Sequence, residues 1–158
     1  MRFARTGRDC YIADPGRTMK TKTPGTLDKA GLERQSEFRY RLRRFLRFGE
    51  EAARAAGVTA LQYHLLLHTQ GFPDRDWASI GELAERLQTQ QHGIVALVTR
   101  CEEAGLVRRR ENQDDRRLVE VHLTAKGRRC VERLAAQHQA ELGELAAVIE
   151  AARASGSA

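Results

Sequence analysis

Cysteine, proline, aromatic side chains and long apolar runs are all scarce in this sequence. Three cysteines in 158 residues, Cys10, Cys101 and Cys130, are odd in number and far apart, which excludes a disulfide framework and any Cys-x-x-Cys zinc or redox site. No apolar stretch approaches the roughly 18 residues that a membrane helix requires. The first 20 residues alternate charge with small side chains where a secretory signal would place an apolar block. The expectation is a cytoplasmic protein without membrane association. Also missing are a nucleophile and base at a recognisable spacing, a phosphate-cradling glycine loop and paired carboxylates in a motif. The sequence therefore offers no enzyme site, no metal site and no reason to expect a cofactor. The length excludes large α/β scaffolds, yet 41% hydrophobic residues suffice for one real core.

What the chain does have is basic charge. It holds 27 Lys and Arg against 21 Asp and Glu, a formal +6, and a balance of that sign points to nucleic acid or another acidic surface as partner. The excess is unevenly placed. Residues 1–47 contain 13 basic and 5 acidic residues, whereas residues 48–158 contain 14 and 16. Any specific site in the second part must therefore rest on where a few arginines stand, not on bulk charge.

Residues 1–26 hold two of the three prolines and no sustained apolar period, and read as a flexible basic tail. From Leu27 to Ala56, Phe38, Leu42, Phe45, Gly49, Ala52 and Ala53 follow helical steps of three and four. Arg39, Arg43 and Arg47 form a basic stripe beside them, read as a solvated face. Thr59-Ala-Leu-Gln62 has capping-box spacing and opens a helix carrying Leu61, Leu65 and Leu66 that stops at Gly71. Residues 72–78 read as a polar loop with the single tryptophan. Ser79-Ile-Gly-Glu82 is a second capping box, beginning a helix of about two turns whose apolar face is Ile80, Leu83, Ala84 and Leu87. After Gln90 a new helix runs with Ile94, Leu97, Val98 and Cys101 facing inward, and Gly105 closes it. Period-two alternation at Val119, Val121 and Leu123, across a polar turn from residues 106–111, predicts a β-hairpin. Thr124 then caps a last helix with Val131, Leu134, His138, Leu142, Leu145 and Ile149 in one stripe. Over residues 125–153 that helix reaches about 42 Å, longer than so small a domain needs, which implies packing against another chain.

Helix, turn, helix and hairpin over residues 79–124 is the order of a winged helix: the second helix enters the major groove and the hairpin reaches the flanking backbone or minor groove. The outward positions of that second helix are Gln91, His92, Val95, Ala96, Thr99 and Arg100. Gln reads adenine, Val and Ala touch thymine methyls, and Thr and Arg suit phosphate or guanine. No acid appears on this face before Glu102 and Glu103. The hairpin adds Arg108, Arg109 and Arg110 on entry and Asp114-Asp115-Arg116-Arg117 at the turn. An arginine there fits a narrow minor groove, with an adjacent Asp to hold its guanidinium; the alternative is a charge pair that only solubilises the turn.

Three ordered elements, IGELAERL (80–87), GIVALVTRCEEAGLV (93–107) and DDRRLVEVHLTAKG (114–127), resemble those of the MarR family of transcriptional regulators. The resemblance implies a mainly α fold with a small β-hairpin wing, a winged helix-turn-helix flanked by long helices that interleave in a homodimer. It implies a flexible tail (1–26), an N-terminal dimerisation helix (27–57), a DNA-binding domain (58–124) and a C-terminal dimerisation helix (125–153). By the same resemblance the protein is a bacterial repressor of a pseudo-palindromic double-stranded operator, released by a small-molecule effector. The recognition segment is Gln90 to Arg100, and Arg110, Asp115, Arg116 and Arg117 serve the wing. Gln90, Gln91 and His92 depart from the Ser or Thr that family members usually carry there. For an effector, His64, His68 and Trp77 mark a candidate crevice, while Cys101 reads as core and Cys130 as either activated by nearby arginines or a partly exposed bystander. The competing class is a winged-helix protein-interaction module that never touches DNA.

Overall fold

A computed structural model describes residues 28–154 apart from 114 and 116, with the backbone alone described at 151–154. The tail, Cys10, Asp114 and Arg116 lie outside the described residues. The described chain has five helices and three strands: α1 (Lys29–Ala55), α2 (Ala60–Gln70), β1 (Trp77–Ser79), α3 (Ile80–Arg86), α4 (Gln91–Glu103), β2 (Val107–Glu111), β3 (Val119–Leu123) and α5 (Ala125–Ala154). It is thus mainly helical with a small antiparallel sheet, as the sequence pattern predicts.

Side-chain caps start α1, α2 and α3. The Asp28 carboxylate accepts the Gly31 amide of α1 at 2.7 Å. Both capping boxes form: Thr59 and Gln62 exchange hydrogen bonds at 3.2 and 2.9 Å, and Ser79 and Glu82 do the same at α3. Between α3 and α4 the tight turn puts Gln88 in the left-handed region at φ 51, which is uncommon for a residue with a side chain. Gly105, at φ 68, ends α4 as expected.

The sheet corrects one expectation. Residues 77–79 are not loop: β1 pairs antiparallel with β3, Trp77 opposite His122 and Ser79 opposite Glu120, giving the order β1-β3-β2. Three residues are too short for a periodic signal, and pairing with β3 makes them a strand. Beneath this sheet lies one core, in which Leu65, Leu66, Leu83, Ile94, Val98, Val121 and Leu134 are fully buried. Ile94, Leu97, Val98 and Cys101 all face inward. Leu61, expected on the apolar face of α2, is 44% exposed.

α5 is seated on the head at one point that tolerates only glycine. A Cβ on Gly127 would stand 2.0 Å from the Leu106 carbonyl oxygen. Thr124 fixes the same joint: its hydroxyl donates to Gly105 O at 2.7 Å and accepts from the Gly127 amide at 3.1 Å. Further along, α5 crosses α1 at His138. Its ring stacks on Tyr63 at 5.3 Å and meets the edges of Phe45 and Phe48. A Cβ on Gly49 would come within 3.0 Å of His138 Nε2, so the glycine lets the helices approach.

Candidate nucleic-acid interface

The outward side of α4 is built as the inward side requires. With Ile94, Leu97, Val98 and Cys101 buried, Gln91, His92, Val95, Ala96 and Arg100 are exposed and Thr99 is partly covered. Val95 keeps 48% of its surface in solvent. Gln90 occupies the N-cap and makes no side-chain capping bond. The Gln91 amide nitrogen would lie 3.6 Å from a Cβ on Gly81, at the start of α3, so the two helices meet beside the outward face of α4.

The wing places Arg110 opposite Glu120 and Glu111 opposite Val119 before its turn. The Asn112 side chain accepts the Asp115 amide, and the Asp115 carboxylate accepts the Arg117 amide, each at 2.9 Å. The second, which spans two residues, is an Asx turn. Asp115 therefore shapes the turn through the backbone of Arg117, and the side chains of Arg110 and Arg117 are exposed. Below the tip, Glu120 accepts from the Asn112 amide at 2.6 Å and pairs with His122 Nε2 at 2.7 Å. The hydrogen bond from His122 is the main reason its carboxyl lies below the usual range.

Arg109 was grouped with its neighbours by sequence, but strand alternation turns it the other way. Its guanidinium reaches back to α4, donating to Glu102 Oε2 at 2.7 Å, Thr99 Oγ1 at 2.7 Å and Val95 O at 3.1 Å. Its backbone amide donates to Glu102 Oε1 at 2.9 Å. The Thr99 hydroxyl in turn donates to Val95 O at 3.0 Å. Sequence reasoning missed this residue as a separate element. The signal was there: in a run of three arginines entering a strand, the middle one must face opposite to the outer two.

The effector residues are not gathered into one site by the contacts of the structure. His64 lies against Tyr63, whereas Trp77 lies against His122 and takes Arg75 over its ring at 3.9 Å. Burial lowers the pKa of both His64 and His68, aided by His138 for the first and Arg86 for the second. Among the described residues no three His, Cys, Asp or Glu side chains cluster as metal ligands. Cys101 is buried, and desolvation pushes its thiol up to about 11. Cys130 is buried rather than partly exposed. It lies in the wall of an open groove of about 660 Å³ lined also by Val58, Leu106, Arg129 and Arg133.

On the comparison with known proteins, residues 56–118 match the model of the MarR family. No curated protein matches the sequence. Among solved structures, AbsC, a MarR family transcriptional regulator from Streptomyces coelicolor, is similar at 22% identity and a TM-score of 0.64 over 77% of this chain and 82% of that one. A MarR family protein from Bacillus stearothermophilus gives 22% identity and 0.66 over the same shares. The MepR F27L mutant from S. aureus, bound to an oligodeoxyribonucleotide, gives 19% identity and 0.58 over 72% and 81%. Among the described residues no helix is long and apolar enough to cross a membrane. Residues 56–118 thus match the MarR family model within a chain that has the winged-helix fold of these solved structures.

Proposed function

We propose that this protein is a homodimeric, sequence-specific DNA-binding repressor, with α4 in the major groove and the wing beside the minor groove. The observation that carries the reading is the exposed, acid-free row Gln91, His92, Val95, Ala96 and Arg100, flanked by the exposed wing arginines Arg110 and Arg117. A helix face meant only for solvent usually carries mixed charge, and the lack of acids suits insertion between two phosphate rows. Gln90, Asp115 and Arg116 complete the proposed contact set, with Asp115 acting through the turn.

Dimerisation is supported by the long helices. Leu32, Tyr40, Leu46, Leu142 and Ile149 on α1 and α5 are all at least 39% exposed, a concentration of large apolar side chains that a second copy would cover. Two copies would set their recognition helices about 34 Å apart, on successive turns of a pseudo-palindromic site. Release by a small molecule follows if an effector changes that spacing, and the half-buried His64, His68 and Trp77 are the candidate contacts.

The test is retention of genomic DNA fragments at several salt concentrations, wild type against Arg117→Ala. Selective retention that falls steeply with salt and weakens in the variant is the expected result. Equal retention by both proteins removes the wing assignment, and no retention by wild type leaves the protein-interaction module as the better reading.

A further inference from the structure

We propose that Arg109 is a positioning residue that locks the wing at a fixed angle to the recognition helix, so that the two DNA-contacting elements act as one reading head and Thr99 is withdrawn from phosphate contact. The inference rests on the DNA-binding reading above for its consequence, but its geometry stands apart from it. A guanidinium is a planar fork with donors on several edges, and here they are spent in different directions. One nitrogen meets Glu102 at 2.7 Å, and another meets both Thr99 Oγ1 at 2.7 Å and Val95 O at 3.1 Å. The backbone amide of the same residue takes the second Glu102 oxygen at 2.9 Å. Strand β2 is thus tied to two successive turns of α4, through Val95 and Thr99 on one and Glu102 on the next.

Two further features follow from this arrangement. Thr99 has a single hydroxyl proton, and it is given to Val95 O at 3.0 Å while Arg109 fills a lone pair of the oxygen. A phosphate accepts and does not donate, so Thr99 has nothing to offer one unless the clamp opens. Glu102 is the first acid after the reading face. Paired with Arg109, its charge is neutralised where it would otherwise face DNA phosphates. A lysine at 109 would restore the charge and not the fork, because an ammonium on a flexible stem does not hold three acceptors in fixed directions.

Two measurements on the full-length protein test the proposal. In the free protein, hydrogen exchange of the β2 and β3 amides is expected to speed up roughly tenfold in Arg109→Ala and in Arg109→Lys, with α2 unchanged. On a fragment retained by wild type, Arg109→Ala is expected to weaken binding roughly tenfold. Arg109→Lys should be no better. After Arg109→Ala, adding Arg117→Ala should cost under about twofold, because a wing without its anchor no longer places Arg117. A direct phosphate contact would instead be rescued by lysine, would lower the salt slope by about one, and would multiply independently with Arg117→Ala; those results overturn the proposal. Unchanged hairpin exchange overturns it as well. If wild type retains no fragment, the DNA-binding reading fails by itself, and the exchange data alone decide whether Arg109 locks the wing.

Discussion

The winged head and the long helices of this chain follow opposite rules of burial. In the head, from α2 through β3, a three-stranded sheet and three helices enclose Leu65, Leu66, Leu83, Ile94 and Val121 completely. The first half of α5 shares that core through Val131 and Leu134. Toward the far ends of α1 and α5 the pattern inverts: Leu32, Tyr40, Leu142 and Ile149 keep at least 39% of their surface exposed. The head is closed within one chain, whereas the arms present apolar surface that one chain does not cover. On the proposed function, a second copy covers that surface.

The largest effect expected from this contrast uses two glycines of the same helix. Gly127→Ala would drive a Cβ to 2.0 Å from the Leu106 carbonyl oxygen, a backbone atom that cannot move aside, and should cost about 3 kcal/mol or more. Gly143→Ala, further along α5, meets nothing within 4 Å in this chain and should gain about 0.5–1 kcal/mol from helix propensity alone. Urea unfolding of both variants measures the difference, and equal losses would abolish the distinction between head and arm.

Next in size is the arm itself. Leu142→Glu and Ile149→Glu, one heptad apart on the exposed side of α5, should convert the proposed dimer to monomer. Each symmetric dimer loses two buried side chains and gains two desolvated carboxylates, so a loss of at least a hundredfold in association is expected. Sedimentation checks the mass, and near-ultraviolet dichroism of Trp77 checks that the head remains folded. A dimer that survives both substitutions would place the interface elsewhere. Smaller still is a comparison of caps. Ser79→Ala removes a hydroxyl that starts a helix packed in the core and should cost about 1 kcal/mol. Asp28→Ala, at the outer end of α1, should cost a few tenths, because that first turn is exposed apart from Gly31 and its loss has little effect on the rest.

How far the sequence revealed these features depended on the length scale of the signal. Helical periodicity, together with capping boxes and closing glycines, located α1 through α5 to within two residues, although in α2, where only three apolar positions set the phase, it put Leu61 on the wrong face. The capping boxes at Thr59 and Ser79 were legible because both partners lie within four residues. β1 was not, because three residues carry no period and its pairing partner His122 lies 45 positions away in sequence. The same reason hid Arg109, whose acceptors lie on α4 and whose role depends on the angle between two elements. For the reading face, inward and outward positions on α4 followed from periodicity alone, but that Thr99 is occupied did not. Gly127 was visible only as part of a family motif; its cause, the approach of Leu106 O, is a contact between the head and α5.

The smallest expected effect concerns the joint between head and arms, where α2 carries His64 and His68. Burial lowers the pKa of both below the ordinary histidine value of 6.5, with His138 acting on His64 and Arg86 on His68 in the same direction, and Glu50 opposing weakly at His64. When the folded pKa lies below the unfolded one, the unfolded chain binds more protons across the interval between them. Stability is then full above about pH 6.5 and falls as the pH drops below it. Glu82 and Glu120 are held below the usual carboxylate value of 4.5, so their own losses begin only at lower pH and leave the window from 7 to 5.5 to the histidines. For Glu82, burial works against that shift, and hydrogen bonds from Ser79 and Arg75 outweigh it. Urea unfolding at half-unit steps across this window should show wild type losing stability with acid and His64→Gln/His68→Gln losing distinctly less. If the double variant follows the wild-type slope, the protons are taken up elsewhere in the chain, and α2 is not where acid weakens the seam between the winged head and its helices.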